Sequence, residues 1–175
     1  MEVPKLWYCY ELQATPEEIE SHGDSDWASK TSEQRKSTTG AAIIFGSHLL
    51  DSASVSQATP ALSSGEAEFY ALGSATARGM QVSFFLKEIG RPAKLVVYSD
   101  SSAARGTATR NGSGKARHLE LRYLWIQDRL KNGFFQLRKA VTTEMKADFL
   151  TKYLGEDALK AALAMVNLRR GLSRD

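Results

Sequence analysis

A single cysteine, Cys9, is all that the 175 residues offer to thiol chemistry. One thiol cannot close an internal disulfide and cannot build a cysteine-based zinc site. It suits a reducing, intracellular setting, with cytoplasm and nucleus not distinguished. Long apolar runs are also missing. Stretches such as Ala41 to Phe45 fall far short of the roughly 20 residues that a membrane-spanning helix needs. The opening MEVPKLWYCYEL has neither a basic n-region nor an apolar h-region, so it is not expected to be a secretory signal. Internal repeats and low-complexity tracts are absent as well. A chain of this length suits one domain with a sizeable core. Its composition, 42% hydrophobic and 25% charged, is that of an ordinary soluble globular domain.

Acidic residues are scarce after the first 26 positions. Seven acids (Glu2, Glu11, Glu17, Glu18, Glu20, Asp24 and Asp26) face one base, Lys5, in that segment. The remaining 149 residues hold 22 bases and 13 acids, so a modest net charge of +3 conceals a basic body. Between Arg105 and Arg122 lie Arg105, Arg110, Lys115, Arg117 and Arg122, with Glu120 the only acid. Such a stretch can track a phosphate backbone. On charge alone it is also readable as a solvated surface loop.

The chain alternates between strand-like and helix-like patterns. AAIIFG, residues 41–46, is a short apolar run between glycines and reads as a strand. Leu49 to Gln57 is its candidate hairpin partner. After Pro60, Ser63 with Glu66 three residues on fits a capping box. Leu72, Ala75, Gly79, Val82, Leu86 and Ile89 then mark one face of a long helix that Gly90 and Pro92 end. KLVVY, Lys94 to Tyr98, has the look of a strand buried on both faces. A short helix is expected from Ser101 or Ser102, then a glycine-containing loop over residues 106–116. Leu119, Tyr123, Ile126 and Leu130 predict another helix, closed by Asn132-Gly133. Phe134 to Val141 reads as a strand. Thr143 is expected to cap a helix carrying Met145, Phe149 and Tyr153, and Leu159, Leu163 and Val166 predict a final amphipathic helix. This order suggests an α/β domain with a central sheet covered by helices.

Four acids fall at element ends on this map. Asp24 closes a candidate first strand, Glu68 lies early in the long helix, Asp100 directly follows KLVVYS, and Asp148 follows the last strand. In open α/β sheets, ligands collect beyond the carboxyl ends of strands. Carboxylates also supply the hard oxygens that magnesium prefers. Gathered without a cation they would repel one another and raise one another's pKa. Each acid has a plainer reading too. Glu68 suits the positive end of a helix, Asp100 suits an N-cap, Asp148 a solvated helix surface, and Asp24 an acidic turn shared with Asp26. The pattern alone reaches a metal-binding α/β domain and stops there.

Five blocks carry a more specific resemblance. GDSDWASKTSEQRKSTTGAAIIF (Gly23 to Phe45) and ALSSGEAEFYAL (Ala61 to Leu72) are followed in order by VVYSDSSAA (Val96 to Ala104), KARHLELRYLWIQDRL (Lys115 to Leu130) and TTEMKADFLTK (Thr142 to Lys152). Together they resemble the RNase H domain of copia-type LTR retrotransposon polyproteins. The resemblance spans residues 17–155. It implies an RNase H-like fold, a five-stranded mixed sheet flanked by helices. Residues 1–16 then look like a remnant of the connection from a reverse transcriptase, and 156–175 are a C-terminal amphipathic helix and basic tail. By position the family's acidic tetrad falls on Asp24, Glu68, Asp100 and Asp148, with Asp26 an alternative to Asp24. Glu66 keeps the capping role.

The same resemblance implies a magnesium-dependent endoribonuclease that cuts the RNA strand of RNA–DNA hybrids, leaving 5′-phosphate and 3′-hydroxyl ends. The tetrad would hold two Mg2+ ions, with Mn2+ a possible substitute, around the scissile phosphate. Discrimination of RNA would come from 2′-hydroxyl contacts across the wide minor groove. Arg105, Arg110, Lys115, Arg117, His118 and Arg122 are the expected substrate contacts, with Arg35 and Lys36 weaker ones. For His118 a direct catalytic role competes with a helix-start role, and Tyr123 and Trp125 are either stacking platforms or core. A reverse transcriptase domain is the expected protein partner, and no membrane is. Two other readings compete: an RNase H-like nucleic-acid-binding module with weak or no turnover, and another nuclease, such as an integrase or exonuclease, on the same fold.

Overall fold

The computed structural model describes residues 6–28, 36–111 and 121–170. Seven strands and four α-helices lie in these segments: β1 Leu6–Tyr8, β2 Glu18–Asp26, β3 Thr38–Phe45, β4 His48–Ser56, α1 Ser64–Glu88, β5 Lys94–Ser99, α2 Ser102–Thr109, α3 Leu121–Lys131, β6 Gln136–Lys139, α4 Glu156–Met165 and β7 Leu168–Arg170. Five strands form one mixed sheet in the order β4-β3-β2-β5-β6. The β4–β3 and β3–β2 pairs are antiparallel, while β2–β5 and β5–β6 are parallel. The chain therefore has the five-stranded mixed sheet with flanking helices expected from its sequence. Near the ends of the described chain, β1 and β7 pair antiparallel as a separate ribbon.

Strand alternation explains how both faces of the sheet are covered. Side chains of successive residues point to opposite faces. Ile43, Leu95 and Val97 pack in one core cluster with Phe69, Leu72, Ile126 and Phe135, so α1 and α3 cover that face. Ala42 and Ile44 pack in a second cluster with Met145, Ala147, Leu163 and Val166, where α4 and the segment before it cover the other. Leu163 and Val166 are thus buried as their spacing predicts, and they tie α4 to the sheet.

The long helix forms largely as expected. The Ser63 hydroxyl accepts from Glu66 N at 3.2 Å, and the Glu66 carboxylate accepts from Leu62 N at 3.0 Å, one residue before the cap. Gly90, at a φ of +74°, ends the helix in a left-handed turn that a β-carbon would oppose. The apolar stripe stops at Leu86, because Ile89 is exposed.

Three boundaries differ from expectation. The helix begun at Ser102 continues through Gly106 to Thr109, because Ala104 and Ala108, four residues apart, both enter the core. The strand expected over residues 134–141 is confined to Gln136–Lys139. No helix carries Met145, Phe149 and Tyr153. Two single 3-10 turns, Thr142–Glu144 and Asp148–Leu150, stand in its place. Met145 lies between them in an extended conformation (φ −72°, ψ 99°), which drives its side chain into the second core cluster and breaks the helical ladder.

The second of those turns touches the sheet at Gly40. A β-carbon there would sit 2.7 Å from Thr151 Cγ2 and 2.8 Å from Ala147 O. Gly40→Val is therefore expected to lower the unfolding free energy by about 1–3 kcal/mol through overpacking. The measurement is a urea unfolding curve, with a lower midpoint at unchanged slope. An unchanged midpoint would mean that the turn can retreat from the sheet without cost.

Candidate metal centre

Strand β2 delivers Asp24. In its register Asp24 pairs with Gly40 and Gly23 with Ala41, so Asp24 faces the 3-10 turns and Gly23 faces α1. A β-carbon at Gly23 would lie 2.9 Å from both Ala71 O and Ala75 Cβ, so α1 rests almost on the strand. On the same side Ser21 Oγ donates to Ala75 O at 2.8 Å. Glu68 lies three residues before Ala71 and seven before Ala75, on the same helical face. That placement brings it beside Ser25, at the carboxyl end of β2. Asp100 directly follows β5, the parallel neighbour of β2, so its carboxylate emerges at the same end of the sheet. Ser101, and not Asp100, caps α2: its hydroxyl accepts from Ala104 N at 3.2 Å.

Three carboxylates converge there. One oxygen each from Asp24, Glu68 and Asp100 lie within 4.8 Å of one another. Asp24 is almost fully buried at 3% exposure, and Glu68 Oε2 is a buried oxygen with no hydrogen-bond partner among the described residues. Asp100 Oδ2 accepts from the Thr142 hydroxyl at 3.1 Å. Asp26 is not a member of this group, which separates it from Asp24. Asp148 stands just outside the group and opens the second 3-10 turn. It is linked to Asp24 through two neighbours. Thr151 Oγ1 donates to Asp24 Oδ2, while Lys152 Nζ donates to Asp148 Oδ1 and lies 3.8 Å from Asp24 Oδ2. Sequence reasoning did not single out Thr151 or Lys152. The visible signal was the four-residue spacing from Asp148 to Lys152.

The electrostatics carry the mark of this crowding. Burial, with the charge of Asp24 next, pushes the Glu68 carboxyl up to about 7, offset in part by Ser25 and reinforced by Asp100. Burial also raises Asp24. The Thr151 hydroxyl and the Lys152 ammonium oppose that rise, while Asp148 and Asp100 add to it. Burial works against the Lys152 charge, but the carboxylates of Asp148, Asp24 and Asp100 outweigh it and hold its pKa above the ordinary value. An unpartnered buried carboxylate oxygen beside two further carboxylates is a hard-oxygen donor set, so the cluster of Asp24, Glu68 and Asp100 fits a divalent cation.

The expected substrate contacts are spread more widely. Arg105, in α2, donates from Nη1 to Ser99 O at 2.7 Å, which holds it against the end of β5 next to Asp100. Arg110 is the C-cap of α2. Arg122 falls within α3. Lys115, Arg117, His118 and Arg35 lie outside the described residues. Trp125 packs against the first core cluster, as the core reading expects.

Both raised acids make stability depend on pH in the same direction. A carboxyl whose pKa is higher folded than unfolded binds its proton more tightly in the native state. Its stabilising contribution is thus present at acidic pH and is lost as pH climbs from about 4.5 through about 7. In chelating buffer, Glu68→Gln should flatten that decline and stabilise the protein near pH 8 by roughly 1–3 kcal/mol, a range allowing for partial solvent screening. Thermal melts of both proteins across this pH range provide the check. Parallel pH profiles would show that Glu68 is not destabilised by its surroundings.

No family model matches the chain. The Retrovirus-related Pol polyprotein from transposon TNT 1-94 of Nicotiana tabacum is 28% identical over 152 residues, covering 86% of this chain and 11% of that one. The corresponding polyprotein from transposon RE1 of Arabidopsis thaliana is 25% identical over 157 residues, covering 87% and 10%. The chain thus spans about a tenth of the length of the curated relatives it matches. Among solved structures, LC11-RNase H1, isolated from compost, superposes with a TM-score of 0.56 at 15% identity, covering 84% of this chain and 99% of that one. RNase H1 from Halobacterium salinarum NRC-1 superposes at 0.51, also at 15% identity, covering 82% and 98%. The chain is a homologue of retrovirus-related Pol polyproteins from transposons, and the part it shares with them has the RNase H fold.

Proposed function

We propose that the chain is a divalent-metal-dependent endoribonuclease that hydrolyses the RNA strand of RNA–DNA hybrids, with Asp24, Glu68, Asp100 and Asp148 as its metal ligands. The observation that carries this reading is the convergence of Asp24, Glu68 and Asp100 within 4.8 Å at the carboxyl ends of two adjacent parallel strands. Two likenesses support it. The relatives are retrovirus-related polyproteins, and LC11-RNase H1, with the same fold, has been solved in complex with an RNA/DNA hybrid. Magnesium is the proposed ion, with manganese as a substitute, because the donor set is all carboxylate. When bound, such ions activate water and stabilise the charge that develops on a phosphodiester undergoing in-line displacement.

The chain's own residues supply placement. Thr151 fixes Asp24, Thr142 fixes Asp100, and Glu68 offers a buried Oε2 to which no described residue hydrogen-bonds. Arg105, Arg110, Lys115, Arg117, His118 and Arg122 are proposed to meet the hybrid, the cations through its phosphate backbone, which positions a duplex without reading its sequence. Selection of RNA is assigned to 2′-hydroxyl contacts, and the proposed products carry 5′-phosphate and 3′-hydroxyl ends. A reverse transcriptase domain is the proposed protein partner, in keeping with the polyprotein relatives. Among the described residues, no helix is long and apolar enough to cross a membrane.

Cleavage of an end-labelled hybrid in Mg2+ tests the reading. Wild-type protein should cut the RNA strand and leave duplex DNA intact. Asp100→Asn should slow cutting by at least about 100-fold, the scale of losing one preorganised electrostatic contact, with an unchanged circular dichroism spectrum. Equal rates for the two proteins, or equal cutting of duplex DNA, would remove the assignment.

A further inference from the structure

The acidic cluster has two unequal halves. In one half, Asp24, Glu68 and Asp100 approach within 4.8 Å, neither Glu68 nor Asp100 has an ion pair with a lysine or arginine among the described residues, and Glu68 Oε2 has no hydrogen-bond partner there. The other half runs from Asp24 to Asp148, and there the chain supplies its own cation. Lys152 Nζ donates to Asp148 Oδ1 and stands 3.8 Å from Asp24 Oδ2. Local structure brings it there. Lys152 N bonds to Asp148 O at 3.3 Å, which folds residues 148–152 into a tight turn. The hydroxyl of the preceding residue, Thr151, anchors that turn to Asp24, and Gly40 lets it approach the strand. The Lys152 side chain is 43% exposed and Asp24 only 4%. The ammonium therefore reaches a buried carboxylate from the solvent side, and it can swing away without disturbing the core. Lys146 is instead held at 2.5 Å by Glu20, on the same strand as Asp24.

A divalent ion held by Asp24 and Asp148 needs the oxygens that Lys152 contacts. Two cations cannot share them at such short range, because their repulsion rises as the distance falls. We infer that Lys152 is a resident counter-cation of the Asp24–Asp148 half, which a second divalent ion must displace before it can bind there. This inference rests on the metal-binding reading of the cluster. It makes Lys152 a positioning residue: it keeps Asp148 beside Asp24, sets an order in which the Glu68 half loads first, and ties loading of the other half to withdrawal of an ammonium group. Its outward swing leaves that charge at the mouth of the site, on the side from which a polyanionic substrate approaches.

The test is calorimetric titration of the whole chain with Mn2+ at neutral pH, with thermal melts in EDTA alongside. Wild-type protein should take up one ion, with a second at least about 10-fold weaker. In Lys152→Met, which keeps side-chain length and removes the charge, the second ion should tighten by about 10-fold or more, and the EDTA melting temperature should fall. Lys152→Arg, which keeps the charge, should retain the weak second ion. In Asp148→Asn the second ion should be lost while the first remains. A second-ion affinity in Lys152→Met equal to wild type, or the same gain in Lys152→Arg, would overturn the inference and leave the metal site standing. No uptake of Mn2+ by folded wild-type protein would overturn both.

Discussion

The structure at the acidic centre depends on how closely β2 is approached from both of its faces. Gly23 allows α1 to rest on the strand, and Gly40, the cross-strand partner of Asp24, allows the second 3-10 turn to rest on the sheet from the other side. These contacts fix more than packing. Glu68, Ala71 and Ala75 share one face of α1, so seating Ala71 and Ala75 over Gly23 sets the height of Glu68 above Ser25. Likewise, seating Ala147 and Thr151 on Gly40 sets Asp148 and Lys152 beside Asp24. The residues that position the carboxylates are therefore ones with little or no side chain. Their absent β-carbons bring two layers together at a single strand.

Gathering the acids has a cost that the rest of the domain must offset. Three carboxylates within 4.8 Å, one of them almost fully buried, favour protonation over ionisation, and Glu68 shows it most with its carboxyl raised to about 7. Such a cluster destabilises the fold at neutral pH unless cations enter. Stability is recovered away from the site, in the two apolar clusters on either face of the sheet. Crowded charge at the centre is thus set within tight packing around it.

Much of this was legible in the sequence, and the gaps have physical causes. The long helix announced itself by periodicity and the strand KLVVYS by its unbroken apolar run, and the positions of Glu68 early in α1 and Asp100 after β5 follow from them. Strand β2 was harder, because its side chains alternate between a face of Ile19, Ser21, Gly23 and Ser25 and a face of Glu20, His22 and Asp24. Only Ile19 is apolar. The rest of its burial is paired through hydrogen bonds and glycine contacts, which leave no hydrophobic signature. The segment around Met145 misled for the opposite reason. Met145, Phe149 and Tyr153 recur every four residues like a helical stripe, yet Met145 packs inward while Tyr153 is exposed. The spacing was present without the helix. Choosing Asp24 over Asp26 needed the third dimension, since both lie on the same face of one strand and only their distance along it separates them.

That face of β2 also shows why counting acids cannot locate a metal site. Glu20 and Asp24 lie four residues apart on the same side of the same strand, yet their carboxyls shift in opposite directions. Glu20 accepts from His22 at 3.2 Å and from Lys146 at 2.5 Å. Its bond to His22, against the opposing effect of burial and with help from Lys146, holds it at about 2. His22 in turn stacks on Tyr98 with ring centroids 4.8 Å apart, and burial keeps its pKa below the ordinary value against the pull of Glu20. Asp24 is deeper and more crowded by other acids, with only a hydroxyl and a more distant ammonium to offset them, and its pKa rises. A carboxylate already neutralised by a lysine and a histidine gains little from a further cation, whereas one surrounded by acids gains a great deal. The carboxylate on this strand best suited to a cation is therefore the one that its neighbours neutralise least. Glu20 is matched by its own neighbours, and Asp24 is matched only in part.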